Sequence, residues 1–283
     1  MPHVHDVLVR GALGSTAVAR ELVDLDARLR RPVSTSRRLG VVAPAGGAGT
    51  TAVALGMARL LAARRGGGVL SVDAAAGVTR LAAAAGVTEP LPLARATVDT
   101  ADSATCAQAR AAVPTTPGGL AVLGTGSGTV DPVHPDAWRA AVEPVGRFFD
   151  VVVTDWGVRA TEGELDALAR DQHALAVVAR ADRAAAEAGV ALAARLRSRT
   201  AAVVLVLVDV GGTGGPTPAL ARHGLAAGGL DVPILAVPHG TAVGGPMGHA
   251  SATVPGGVRT AWARIAVALL ERADGRDLVA EAG

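Results

Sequence analysis

The chain has 283 residues, enough for one large α/β domain or two small ones, and half of its residues are apolar. Its formal charge of +2 is too small to point to a nucleic-acid binder, and its longest wholly apolar run, 201–208, suits a buried strand and is far too short to span a bilayer. One cysteine, Cys106, excludes an intrachain disulfide and suits a reducing cytoplasm, and the start MPHVHDVLVR lacks the basic-then-apolar order of a signal peptide.

Taken in order, 18–29 carries apolar residues at helical spacing and predicts a short amphipathic helix. Arg28, Arg30, Arg31, Arg37 and Arg38 then mark a basic, Pro- and Ser-containing linker, read as a solvated connector or as a surface for an anionic partner. The globular domain is expected over 39–273, with 1–38 preceding it and a frayed tail at 274–283. Within the domain, strands are expected at 39–43, 69–72, 120–123, 149–154, 174–178, 203–208 and 232–237. Helices are expected from Thr50 onward and at 81–85, 105–112, 136–145, 165–170, 181–197 and 258–271, with 86–118 wrapping the domain edge. Strands without polar alternation, separated by helices, give an α/β fold with a mostly parallel, doubly wound sheet. Ligands of such sheets bind at the C-terminal strand ends, which here carry Gly46, Gly47, Ala48, Gly49, Thr50, Thr51, Asp73, Asp155, Asp209 and the Pro238–His239 loop.

The organising stretch is 39–63, LGVVAPAGGAGTTAVALGMARLLAA: an apolar strand, a glycine-rich turn, then an Ala/Leu helix. That order is what a phosphate-binding loop requires, because glycines let N–H groups converge on a phosphate at a helix N-terminus. The full motif reads G-x-x-x-x-G-K-[ST], the lysine reaching the outer phosphates and the hydroxyl holding Mg²⁺. Aligned on Gly49, the chain has Pro44 for the first glycine, Thr50 for the lysine and Thr51 in the hydroxyl slot. All 27 Lys/Arg positions are arginine. A bias that trades lysine for arginine would place arginine, not threonine, at position 50.

The run PAGGAGTT resembles the deviant P-loop of the MinD/ParA-like ATPases, usually KGGxGKTT. VDAAAG resembles their switch I strand end, FFDVVVTDWG their Walker B strand, and VPILAVPHGTAVGGP their final strand and its loop. The arginine-rich lead-in RRPVSTSRR is similar to that of an actinobacterial MinD-like subgroup found with type VII secretion. The resemblance implies a P-loop fold, ATP or ADP with Mg²⁺ as ligand, a protein partner and a homodimer. Carried over by position, it puts Ala45 in place of the signature lysine and Thr50 in place of the phosphate-neutralising lysine. Asp73 keeps the first switch carboxylate and Ala75 replaces the second. Asp155 keeps the Walker B carboxylate, so Thr51 and Asp155 are the Mg²⁺ residues if nucleotide binds, and Asp209 and Pro238 fall at the base site. Phosphoryl transfer rests on positioning and charge stabilisation, so these losses imply a pseudo-ATPase; the alternative is a slow genuine ATPase. The tail DGRDLVAEAG is acidic and short, where MinD-type membrane attachment uses a basic amphipathic helix, so no intrinsic membrane binding is expected.

Plain alternatives stand beside these readings. Asp73 and Asp155 can serve only to cap turns, and Thr50 and Thr51 only to cap a helix. His134, His239 and His249 lack metal-ligand spacing. Ser127 in GTGSGT superficially matches G-x-S-x-G, but its loop does not enter a helix. A dinucleotide-binding oxidoreductase would need G-x-G-x-x-G after the first strand, and that fingerprint is absent.

Overall fold

β1 (Arg37–Ala43) lies at the middle of the sheet, with alternate side chains in two different cores. Leu39, Val41 and Ala43 face one apolar cluster and Val42 the other. Burial on both faces is why the strands read as unbroken apolar runs. The computed structural model describes residues 4–66, 68–75, 81–99, 105–125, 131–200, 202–212, 217–240 and 254–280. Before β1 comes α1 (Val4–Leu29), and after it follow α2 (Thr50–Arg64), β2 (Val69–Asp73), α3 (Leu81–Ala85), β3 (Leu91–Pro92), α4 (Leu93–Asp99) and α5 (Cys106–Ala112). The chain continues through β4 (Leu120–Gly124), α6 (Pro135–Gly146), β5 (Val151–Val158), α7 (Glu162–Asp171), β6 (Ala174–Arg180) and α8 (Arg183–Arg197). It closes with β7 (Val203–Val208), α9 (Thr217–Ala227), β8 (Ile234–Val237) and α10 (Gly256–Ala280).

The sheet has eight strands in the order β3-β4-β2-β5-β1-β6-β7-β8, and every pairing is parallel. α1, α2, α3 and α10 supply one apolar layer, and α4 to α9 the other. β1 lies between β5 and β6, so the loop after β1 opens where the chain's path across the sheet changes direction.

Several elements depart from the sequence expectation. α1 starts at Val4 and not at 18, and β1 starts at Arg37, inside the presumed linker. Much of the arginine-rich lead-in is engaged within the fold. Arg37 Nε meets Asp274 at 2.8 Å, Arg28 Nη2 meets Glu271 at 2.6 Å, and Arg30 Nε meets Asp26 at 2.7 Å. Arg28 with Glu271, and Arg264 donating to both oxygens of Glu21, seat α1 on α10, with Leu25 and Leu29 in the core; Arg37 ties β1 to α10, and Arg30 pairs within the end of α1. The C-terminal helix runs through Asp274 and Gly275 to Ala280, where fraying was expected, with Asp274 held by Arg37. α9 was missed because its flanking Gly-Gly pairs read as loop; β3 and α4 were missed in the Pro- and Thr-rich edge. β5 extends through Asp155 to Val158, so Asp155 sits inside a strand and not beyond its end.

α2 and α10 pack closely because Gly56 leaves room for an indole. A Cβ at Gly56 would lie 2.3 Å from Trp262 Cδ2. Gly56→Ala is therefore expected to cost about 1–3 kcal/mol by overpacking, more than the helix propensity it gains. Thermal melts of Gly56→Ala, Trp262→Leu and the double variant check this: the double should lose less than the sum, and additive losses would contradict the contact.

Candidate phosphate-loop site

The loop after β1 has the backbone its glycines permit. Gly47 and Gly49 take φ of 73° and 88°, left-handed values that an L side chain resists. Gly49 is the residue capping α2, and no side chain caps that helix end. Neither Thr50 nor Thr51 therefore serves as a helix cap. Nothing lies within 4 Å of a Cβ built on Gly46 or Gly47, so the space over the loop is open, while Ala48 is buried beneath it. Val53 N bonds to Gly49 O at 3.0 Å, starting the helix at this turn.

The Thr51 hydroxyl donates to Asp155 Oδ2 at 2.5 Å. Asp155 has no exposed surface, and its other oxygen accepts from Gly157 N at 3.1 Å. A bulge makes that second bond possible: Val41 pairs with Asp155 but Val42 with Gly157, and Gly157 takes φ of 62°. Burial pushes the Asp155 carboxyl above its ordinary range; the Thr51 hydroxyl, the Gly157 amide and the charge of Arg159 only partly oppose this. Asp73 is the register partner of Asp155 on β2. Its carboxylate accepts from Leu81 N at 2.9 Å and Ala75 N at 3.3 Å, which caps α3 and closes the turn.

The loop, Thr51, Asp73 and Asp155 are thus brought to one place. Asp209 and Pro238 border a cavity of about 1060 Å³ lined by α1, the end of α2, α10 and the tips of β7 and β8; none of residues 44–51 lines it. His239 Nδ1 lies 3.2 Å from Asp209 O, and His134 Nδ1 accepts from Asp136 N at the start of α6. Ser127 and His249 lie outside the described residues. Among the described residues there is no His/Cys/Asp/Glu group that could hold a metal, and no helix is long and apolar enough to cross a membrane.

Sequence reading missed Arg159. Its side chain is 1% exposed. Nη2 donates to Ala74 O at 2.8 Å and Val133 O at 3.0 Å, Nη1 meets Glu164 Oε1 at 3.4 Å, and the guanidinium lies 5.4 Å from the Trp156 ring centroid. Burial pulls its pKa down, against the charges of Glu164 and Asp155. The sequence signal was an arginine four residues after Asp155, immediately past the end of a strand that runs further than expected. Trp138 and Trp156, 5.2 Å apart, pack the far side of β5, and Trp138 Nε1 donates to Thr154 Oγ1 at 3.2 Å.

The chain superposes over most of its length on solved ATPase structures. A ParA family ATPase from Chlorobium tepidum TLS matches at TM-score 0.58 and 14% identity, covering 82% of this chain and 98% of that one. MinD from Pyrococcus horikoshii OT3, complexed with Mg-ADP, matches at 0.57 and 17%, covering 82% and 94%. The Aquifex aeolicus MinC:MinD complex matches at 0.57 and 14%, covering 81% and 95%. This is the MinD/ParA fold. At such identities the likeness is one of fold, and no protein-family profile or curated protein sequence matches the chain.

A buried carboxyl with a raised folded-state pKa stabilises the fold only while it is protonated. That contribution is complete below the ordinary carboxylate range and is lost as pH rises through the raised value. Asp155→Asn is expected to raise the melting temperature by a few degrees near neutral pH and to lose the advantage near pH 4. Melts of both proteins across that range check it; a difference that does not change with pH would contradict the burial argument.

Proposed function

We propose that this chain is a non-hydrolysing protein of MinD/ParA fold, a regulatory or scaffold partner that holds Mg-ATP or Mg-ADP weakly. The observation that carries this is the commitment of the site's carboxylates to the protein itself. Asp155 is closed onto Thr51 and Gly157, and Asp73 caps α3, while positions 44–51 contribute no cation.

The residues fit such a ligand in part. The open space over Gly46 and Gly47 and the bare N-terminus of α2 suit a phosphate. The Thr51 hydroxyl and Asp155 carboxylate are hard oxygen donors suited to Mg²⁺. When bound, Mg²⁺ would supply the positive charge that Thr50 cannot. With Thr50 and Ala45 where cations would be needed, outer-phosphate charge stays under-neutralised and turnover should be absent. Asp209 and Pro238, at the tips of β7 and β8, are the residues this reading assigns to the base. The Mg-ADP complex of P. horikoshii MinD supports the ligand class, and the MinC:MinD complex supports a protein partner. A homodimer, a cytoplasmic place and an association with secretion belong to the same reading. The ion pairs of Arg28, Arg30 and Arg37 count against an anionic-partner surface at the lead-in. A slow ATPase is the second reading, favoured by the survival of the Thr51–Asp155 pair.

Two measurements test this. Phosphate release from Mg-ATP should not exceed background; Mg²⁺-dependent release abolished by Asp155→Ala would establish the second reading instead. Thr50→Lys should tighten Mg-ATP binding roughly tenfold to a hundredfold, the worth of a charge-assisted phosphate contact, while turnover stays negligible. Unchanged affinity in the folded variant would mean that Pro44, with its fixed φ, holds the loop in a shape that no longer cradles phosphate.

A further inference from the structure

We infer that Arg159 is an internal tether that fixes the exit of β2 against β5, so that this side of the site keeps one arrangement with or without nucleotide. The inference deepens the non-hydrolysing reading and rests on it only for the identity of the ligand whose effect is absent.

The guanidinium joins three segments that are distant in sequence. Nη2 holds the carbonyl of Ala74, just past β2, and that of Val133, in the approach to α6. Ala74 O also accepts from Val133 N at 3.1 Å, and Ala74 N donates to Asp155 O at 2.9 Å, so the β2 exit is bonded on both sides. The third segment is the start of α7. There Glu164 Oε2 completes a capping box with Thr161, while Oε1 faces Arg159. Against the upward pull of its partial burial, the bonds from Thr161 and the charge of Arg159 keep Glu164 below the ordinary carboxylate range. A planar fork of donors suits this task, since a lysine could not reach two carbonyls and a carboxylate in one plane.

The bulge also lies close to this turn. A Cβ on Gly157 would lie 2.8 Å from Ala75 Cβ, so there is no room for a side chain between the bulge of β5 and Ala75. Moving that turn toward a ligand would strip the Ala74 and Val133 carbonyls of Arg159 and leave a guanidinium buried against Trp156. Unmade bonds to buried charge are costly, and the cost opposes any ligand-driven movement.

Hydrogen exchange on the full chain, followed by mass spectrometry, tests this. In Arg159→Met the Ala74 and Val133 amides should exchange at least tenfold faster, with the Val177 and Leu205 amides in β6 and β7 unchanged. If that variant does not fold, Glu164→Gln should give a smaller acceleration confined to the same two amides. No acceleration at Ala74 and Val133, or an equal one across the sheet, would overturn the tether. In the wild type, saturating Mg-ATP should leave both amides as they were; slowed exchange there overturns it too, whatever the turnover. Mg-ATP turnover with unchanged exchange would instead refute the proposed function and leave the tether standing.

Discussion

A carboxyl group with no exposed surface, set within β5 beside the central strand β1 of a parallel sheet, constrains everything near the loop. Water cannot solvate Asp155, so the protein must supply its hydrogen bonds. It does so with one group from α2, the Thr51 hydroxyl, and one from the strand itself, the Gly157 amide. The first bond fixes where α2 begins relative to β5. The second requires the bulge and the left-handed Gly157, which in turn sets the close approach to Ala75. Arg159 adds a nearby positive charge and extends the same constraint to the β2 exit and to α7.

The two halves of the site have consequently separated in character. The loop half keeps what depends on backbone alone: glycines with positive φ, an uncapped helix end and open space above. The carboxylate half has turned inward, its polar groups bonded to one another and to strand-end amides. A phosphate placed over the loop would meet a favourable dipole on one side, but no cation at position 50 or 45. Arginine is plentiful in this chain, yet Arg28 ties α1 to α10, Arg37 ties β1 to α10, and Arg159 is buried near Asp155.

Much of this was legible in the sequence where one interaction type dominates. The unbroken apolar runs of β1, β6 and β7 and the strand–glycine–helix order of 39–63 identify the parallel sheet and its loop, because burial on both faces and positive φ leave direct marks on residue choice. What escaped depends on partners distant in sequence. Nothing local shows that Arg37 belongs to a strand, since its burial is made tolerable by Asp274 at the other end of the chain. Arg159 carries no local mark that sets it apart from the chain's other arginines. The role of Asp73 depends on the Leu81 amide eight residues on, and β5 runs past Asp155 to Val158 because the bulge at Trp156, which has no signature of its own, lets the strand continue.

If the proposed function holds, a phosphate meets the loop without disturbing the carboxylate half. Backbone amide chemical shifts measured during a Mg-ATP titration test it most directly. The expected result is weak, saturable shifts at Gly46, Gly47, Ala48, Gly49, Thr50 and Thr51, with Ala74, Ala75, Val133 and Gly157 unmoved. Shifts of comparable size in the second group, or none at the loop at any concentration of ligand, would contradict it.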